Sequence, residues 1–336
     1  MDLLQIILEL LGGLAIFLFG MHVMGEGLER RAGERMKDRL ARLTSSRFRG
    51  LLLGVAVTAL LQSSSAVMAM TVGFVNSGVM TLHQSVGIIM GSNIGTTVTA
   101  WLLSLTGVKI GTGILRFFKP SFFAPVLGIV GVWGYVFSKN ERRRSLGAIL
   151  LGFTVLIFGM ERMSAAVRPL AELPAFGEVL LVFQNPFFGV LAGAVLTAII
   201  QSSSASIGIL QALSVTGRVS VATAIPIIMG QNIGTCATSL LSSMGANVHA
   251  KRTAMVHLYF NLLGTVILLF VFYILEIFFD FDFMRNAADS VTIATIHTLF
   301  NVISTVILYP FAAKLERLAT LTVCQREEKK KEKPYI

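Results

Sequence analysis

Thr58-Ala-Leu-Leu-Gln-Ser-Ser-Ser-Ala66 recurs as Thr197-Ala-Ile-Ile-Gln-Ser-Ser-Ser-Ala205. Ile88-Ile-Met-Gly-Ser-Asn-Ile-Gly-Thr96 recurs as Ile227-Ile-Met-Gly-Gln-Asn-Ile-Gly-Thr235, and Phe19-Gly-Met21 as Phe158-Gly-Met160. All three pairs are 139 residues apart. One match could be coincidence, but three at a single offset mark two homologous halves, and a repeat of this kind governs every later reading of the chain.

The composition says where those halves sit. Of 336 residues, 54% are hydrophobic and only 14% charged, against about 25% charged in a soluble domain; the mean hydropathy is +0.76. So few charges cannot cover a soluble fold of this size, and the chain reads as an all-α integral membrane protein. Apolar runs long enough to cross the bilayer occupy 3–24, 122–138, 145–163, 253–279 and 292–313. The first does not read as a cleavable signal peptide, because Asp2 and Glu9 stand where basic residues belong and the run is too long. A net charge of +10 would suggest nucleic acid in a soluble protein. Here the basic residues fall between apolar runs, as topology signals, and nucleic acid is excluded as a partner. Cys236 and Cys324 offer neither a disulfide framework nor a metal-ligand spacing.

Charge also relates the two halves. Arg30, Arg31, Arg35, Lys37, Arg39, Arg42, Arg47 and Arg49 fill the connection 26–49, whereas its counterpart at 165–188 is almost free of Lys and Arg. Lys109 stands alone in its loop, whose counterpart carries Lys251 and Arg252. The positive-inside rule places 26–49, 139–144, 249–252 and the tail in the cytoplasm and the amino terminus outside. Equivalent loops then face opposite sides, the plan of an inverted-topology repeat, which puts a site near the midplane between the halves. The expected organisation is repeat 1 over 1–138, with 26–49 a basic interfacial or cytoplasmic segment, and repeat 2 over 139–279. An additional transmembrane helix over 290–313 and a basic cytoplasmic tail over 314–336 follow. The protein is expected as a multi-pass component of the cell's inner (plasma) membrane, bathed by the lipid bilayer.

Residues 50–108 and 189–247 are too interrupted by polar motifs for plain spans. In a continuous helix, consecutive serines point about 100° apart, some of them toward lipid. An unwound turn at the tip of a re-entrant hairpin aims them all at one place, and such backbone is tolerated at membrane depth only when buried in protein or lining a cavity. Two tips would bring Ser63, Ser64 and Ser65 to Ser202, Ser203 and Ser204. The helix N-termini beginning there suit an oxyanion. Gln62, Gln201, Asn93, Asn232, Thr96 and Thr235 supply neutral oxygens for Na+. Serines in membrane helices commonly bond to their own helix or sit at close helix contacts, which is the ordinary reading of an isolated residue such as Ser104. Packing alone does not call for the duplicated Gln and Asn.

The paired Gln-Ser-Ser-Ser-Ala and Gly-x-Asn-Ile-Gly-Thr motifs resemble those of the type II sodium-dependent phosphate cotransporter family, over roughly residues 1–313 and in both halves. The resemblance implies Na+-coupled movement of inorganic phosphate by alternating access. It further implies that both serine motifs sit on re-entrant hairpins between broken transmembrane helices. Phosphate then binds Ser63–Ser65 and Ser202–Ser204, and Na+ binds Gln62, Gln201, Asn93, Thr96, Asn232 and Thr235. Electrogenic animal relatives use an intramembrane aspartate for an additional Na+; here no Asp lies between Asp38 and Asp280. Na+ is the coupling ion, no cofactor or further metal is expected, and no enzyme activity. A homodimer is open to such a carrier. Alternatives are a carrier or exporter of another small oxyanion or carboxylate, and a non-transporting membrane scaffold. An enzyme is disfavoured because no His stands at catalytic spacing from the serine breaks.

Other polar residues read mainly as structure. His257 with Asn261, and His297 with Asn301, share an i, i+4 spacing on the last two spans, which suits interhelical hydrogen bonds more than proton coupling. His83 sits near a helix start with the same two readings. Arg116 and Lys119 are placed to snorkel to the outer interface.

Overall fold

The computed structural model describes residues 3–32, 46–107 and 120–324. Lys109, Arg116, Lys119, the basic residues between Arg35 and Arg42, and those beyond Arg326 lie outside them, so the roles expected of them stay expectations. The described residues are helical, with no strand; an isolated bridge pairs Ser220 with Ala287.

Each half begins with a long helix and contains a pair of short helices followed by a longer stretch, which the second half precedes with an extra short helix and breaks in two. In the first half these are α1 (Leu3–Ala32), α2 (Arg47–Leu61), α3 (Ser64–Asn76) and α4 (Leu82–Ser104), followed by α5 (Pro120–Val132). In the second they are α6 (Glu141–Val167), a short α7 (Pro174–Val182), α8 (Pro186–Ile200) and α9 (Ser203–Ser214). Then come α10 (Val221–Gly234) with α11 (Cys236–Ser242), α12 (Val248–Phe279), α13 (Ser290–Leu308) and α14 (Ala312–Thr322). Six of these stretches are long and apolar enough to cross a membrane: Leu3–Arg31, Leu82–Gly107, Glu141–Glu172, Val221–Ser242, Val248–Phe279 and Ser290–Thr322. This is a multi-pass helical membrane protein.

The packing register is dictated by glycine. A Cβ on Gly20 would strike the Leu156 backbone, and one on Gly159 would strike that of Phe17. These two contacts exchange when 139 is added to one partner and subtracted from the other. Gly13 meets Met163, and Gly27 meets Ser145, so α1 and α6 run antiparallel at close range. Phe17, Leu156, Met160 and Met163 fill the seam.

Helices α2 and α4 run parallel instead. Gly87 abuts Arg47, Gly91 abuts Leu51 and Gly95 abuts Val55, so α4 starts beside the start of α2. Were α3 a straight continuation of α2, roughly 40 Å would separate its end from that point, which 77–81 cannot span. Helix α3 therefore doubles back along α2, and Val57, Leu61, Val67 and Val75 share one apolar cluster. The second half repeats this arrangement, with Gly230 abutting Val190 and Gly234 abutting Ala194.

Several expectations are corrected. The Asn93-Ile-Gly-Thr96 motif does not interrupt its helix, since α4 is continuous through it; Thr96 Oγ1 returns its proton to the Ser92 carbonyl at 2.9 Å, which satisfies the hydroxyl without unwinding. The second copy is followed by a break at Thr235, between α10 and α11. At the two ends of the segment 26–49, α1 reaches Ala32 and α2 starts at Arg47; residues 33–45 lie outside the described ones. Within the stretch expected as tail, α14 runs to Thr322, and Leu315 and Ala319 are buried against α12 and α4.

Candidate functional site

The two Gln-Ser-Ser-Ser stretches fold alike in backbone and cap bonds. Helix α2 ends on Gln62 in the left-handed region (φ 53°), with its N–H bonded to the Thr58 carbonyl; α8 ends on Gln201 (φ 57°), bonded to Thr197. One residue later Ser63 and Ser202 are extended, and their hydroxyls accept from the Ala66 and Ala205 amides, each at 3.2 Å. A left-handed residue followed by a serine N-cap reverses the chain in two residues and starts the next helix with satisfied amides. The motif thus encodes a helix–turn–helix break as well as any ligand chemistry.

The breaks meet. Ser65 Oγ donates to the Gln201 carbonyl at 3.3 Å, and a cavity of about 540 Å³ is lined by Ser63, Ser64, Ser65, Ser202, Ser203 and Ser204, with Gln62 beside them. Ser64 and Ser203 are buried. The N-termini of α3 and α9, which begin at Ser64 and Ser203, bring the positive ends of their dipoles to it. All six serines expected to bind an anion therefore share one space. Gln62 is held there by its neighbours: Nε2 donates to the Ala59 carbonyl at 2.5 Å, and Oε1 accepts from Thr99 at 2.9 Å. Gln201 contributes its backbone carbonyl, while its side chain lies exposed.

Asn93, Thr96, Asn232 and Thr235 are not brought to this cavity. All four are buried, and each bonds to its own helix: Asn93 to the Ile89 carbonyl and Asn232 to that of Ile228, both at 2.9 Å. Thr235 bonds to the Gln231 carbonyl at 2.9 Å.

The cavity also contains what the motifs did not foretell. His22, Glu26 and Glu29 of α1 line it, so it is not free of formal charge. Glu26 lies 3.2 Å from His22 and 3.0 Å from Arg30. The signal was present in the i, i+4, i+7 spacing of 22, 26 and 29, which gives one helix face.

The remaining candidates are structural. Ser104 donates to the Trp101 carbonyl of its own helix at 2.8 Å. Asn261 and Asn301 donate to His257 and His297 carbonyls one turn back, at 3.1 and 2.8 Å. For the first pair the expected interhelical contacts run through Ser239 Oγ, 2.9 Å from His257 Nδ1, and through Cys236 Sγ, 3.4 Å from Asn261 Nδ2; among the described residues His297 Nδ1 and Asn301 Oδ1 have no partner. His83 joins Arg47 and Glu316 in an ionic cluster that ties α14 to the starts of α2 and α4.

Comparison with known proteins agrees with the repeat. The family described as Na+/Pi-cotransporter matches twice, over residues 16–165 and 156–289, once in each half. The uncharacterized protein YqeW of Bacillus subtilis (strain 168) is 30% identical over 308 residues, 91% of this chain and 95% of YqeW. YjbB of Escherichia coli (strain K12), provisionally named an inorganic phosphate export protein, is 25% identical over 96% of this chain and 56% of its own length. The sodium-dependent phosphate transport protein 2A of Rattus norvegicus is 34% identical over 131 residues, 36% of this chain and 20% of its own. The chain thus spans just over half of YjbB and nearly all of YqeW. No solved structure matches it.

Proposed function

We infer that this chain, which belongs to the Na+/Pi-cotransporter family, moves inorganic phosphate coupled to Na+ by alternating access. The observation that carries this reading is the shared cavity of six serines, three from each homologous break. Hydroxyls and helix N-termini are strong donors without a fixed positive charge, so they bind an oxyanion and still let it go. Co-bound Na+ supplies the missing charge; Gln62 Oε1 and the Gln201 carbonyl offer oxygens at the breaks, and Asn93, Thr96, Asn232 and Thr235, buried outside the serine cavity, are the further ligands this reading assigns to Na+.

The antiparallel α1–α6 seam and the paired doubling-back of α2–α3 and α8–α9 support an inverted repeat with two re-entrant hairpins. Rocking one half against the other would then expose the serines to either side. The membrane is the plasma membrane, with the basic connection 26–49 cytoplasmic by the positive-inside rule.

Proteoliposomes test this. Phosphate uptake should follow an imposed Na+ gradient, and Ser64→Ala and Ser203→Ala should each reduce it severely. Uptake indifferent to Na+, or serine variants with full activity, would overturn the assignment.

A further inference from the structure

We propose that a second cavity, at the opposite end of α9 from the serines, binds a hard monovalent cation, with the side-chain carbonyl of Gln211 as its deepest ligand. Helix α9 holds Ser203 and Ser204 at its start and Gln211 and Ser214 near its end, so the two spaces stand about 15 Å apart along its axis. The second has a volume of about 640 Å³ and lies among α6, α9 and α13.

Gln211 is wholly buried and lines this cavity. Its Nε2 donates to the Ala100 carbonyl at 3.1 Å and to the Ser290 carbonyl at 3.0 Å. Both amide protons are thereby spent, and the two carbonyl partners fix which end of the amide is nitrogen. Among the described residues its Oε1 has no partner. A buried acceptor left open is costly, so the orphan calls for a donor or a cation.

The surroundings choose the cation. The hydroxyl protons of Ser214 and Thr106 are used on the Gln211 and Leu103 carbonyls, each at 2.7 Å, which leaves both oxygens as acceptors toward the cavity they line. Two carboxylates, Glu161 and Asp289, stand there against one guanidinium, Arg168. Carbonyl, hydroxyl and carboxylate oxygens suit a hard cation. Among the described residues no group of three or more His, Cys, Asp or Glu could hold a metal ion, so the site suits a singly charged ion such as Na+. None of these ligands belongs to the serine breaks, so the proposal stands whether or not phosphate is the substrate.

The chain has two tryptophans, Trp101 and Trp133. Trp133 is 71% exposed, and Trp133→Phe leaves Trp101 as the reporter next to Ala100, whose carbonyl Gln211 holds. The purified full chain, free of phosphate, is titrated with NaCl against choline chloride at constant ionic strength. Na+ should give a saturable change in Trp101 emission that choline does not. Gln211→Glu should lower the midpoint and Asp289→Asn raise it, each by about tenfold, while Ser203→Ala leaves it in place. Asn is itself a good N-cap, so Asp289→Asn keeps the start of α13 intact. No Na+-specific signal, a midpoint unmoved by Gln211→Glu and Asp289→Asn, or one moved by Ser203→Ala instead, would overturn the proposal.

Discussion

Gln62 and Gln201 have the same residue type, the same left-handed backbone and the same cap bond, yet replacing each by glycine should have opposite effects on stability. Relief of the left-handed strain contributes about 1–2 kcal/mol. The extra freedom glycine gives the unfolded chain takes back about 0.5–1 kcal/mol. Those two terms are common to both sites and cancel in the comparison. The difference lies in the side chains. Gln201 is exposed, so Gln201→Gly should be neutral to stabilising by roughly 1 kcal/mol. Gln62 is only 7% exposed and accepts the proton of Thr99, itself 1% exposed. Gln62→Gly strands that buried hydroxyl, at a cost of about 1–3 kcal/mol. Thermal unfolding of the purified protein in detergent should therefore place Gln62→Gly below the parent or level with it and Gln201→Gly at or above it. Adding Thr99→Val, which removes the stranded hydroxyl, should recover most of the loss at Gln62 and do nothing for Gln201→Gly. Equal shifts for the two glycine variants, or no recovery with Thr99→Val, would refute the reasoning. Gln62→Gly, which removes Oε1, should impair Na+-driven uptake if that oxygen holds the coupling ion, whereas Gln201→Gly, which keeps its backbone carbonyl, should spare it.

Gly91→Ala should destabilise by about 1–3 kcal/mol, because the new methyl meets the Leu51 carbonyl, a backbone group that cannot step aside. Gly73→Ala, on an open helix face, should be neutral or gain up to about 1 kcal/mol; a thermal scan that ranks them the other way would contradict the packing register. Glu316→Gln should loosen α14 from α2, since it removes the charge from a 2.7 Å contact with Arg47 whose side chains are 22% and 18% exposed. Faster amide exchange over Ala312–Thr322 would report it, and unchanged protection would count against the cluster. Asp289 caps α13, and the hydrogen bond from the Thr292 side chain is the main cause holding its carboxyl below the usual value. Its folded pKa is depressed, so its contribution is fully present above the unfolded pKa and is lost as pH falls through the folded one. Asp289→Ala should cost about 1 kcal/mol at neutral pH, and its deficit against the parent should shrink on acidification; a deficit constant with pH would contradict that cause.

Much of this was legible in the sequence because the repeat is local chemistry written twice. The fixed offset aligns α2 with α8 at both termini and α3 with α9 at their starts, and the Gln-Ser-Ser-Ser string marks where each helix breaks. What misled was treating Asn93-Ile-Gly-Thr96 as a second interruption. Glycine and threonine at that spacing are equally what a continuous helix needs to lie against α2, with Gly91 and Gly95 removing bulk and Thr96 bonding to its own carbonyl. One sequence pattern serves both outcomes, and only the neighbour decides. The carboxylates of α1 escaped for another reason. Glu26 and Glu29 stand in a run of charged residues at the end of an apolar helix, where solvent exposure accounts for them fully until the helix is packed against the serine breaks.

Those carboxylates constrain the order of binding under the proposed mechanism. The serine breaks offer dipoles and hydroxyls but no cationic side chain, and the cavity that holds them is lined by Glu26 and Glu29. Phosphate arriving first would bring like charge toward Glu29 and toward Glu26, whose charge Arg30 answers in part at 3.0 Å. Na+ arriving first is drawn by the same field and converts the cavity from one that repels phosphate into one that accepts it. The second cavity, with its own excess of carboxylate over guanidinium, presents the same sign of field at the other end of α9. A cavity whose carboxylates favour a cation while its serines favour an oxyanion makes the anion's affinity conditional on the ion. That dependence is what coupling requires, and it needs no cationic side chain fixed on the anion.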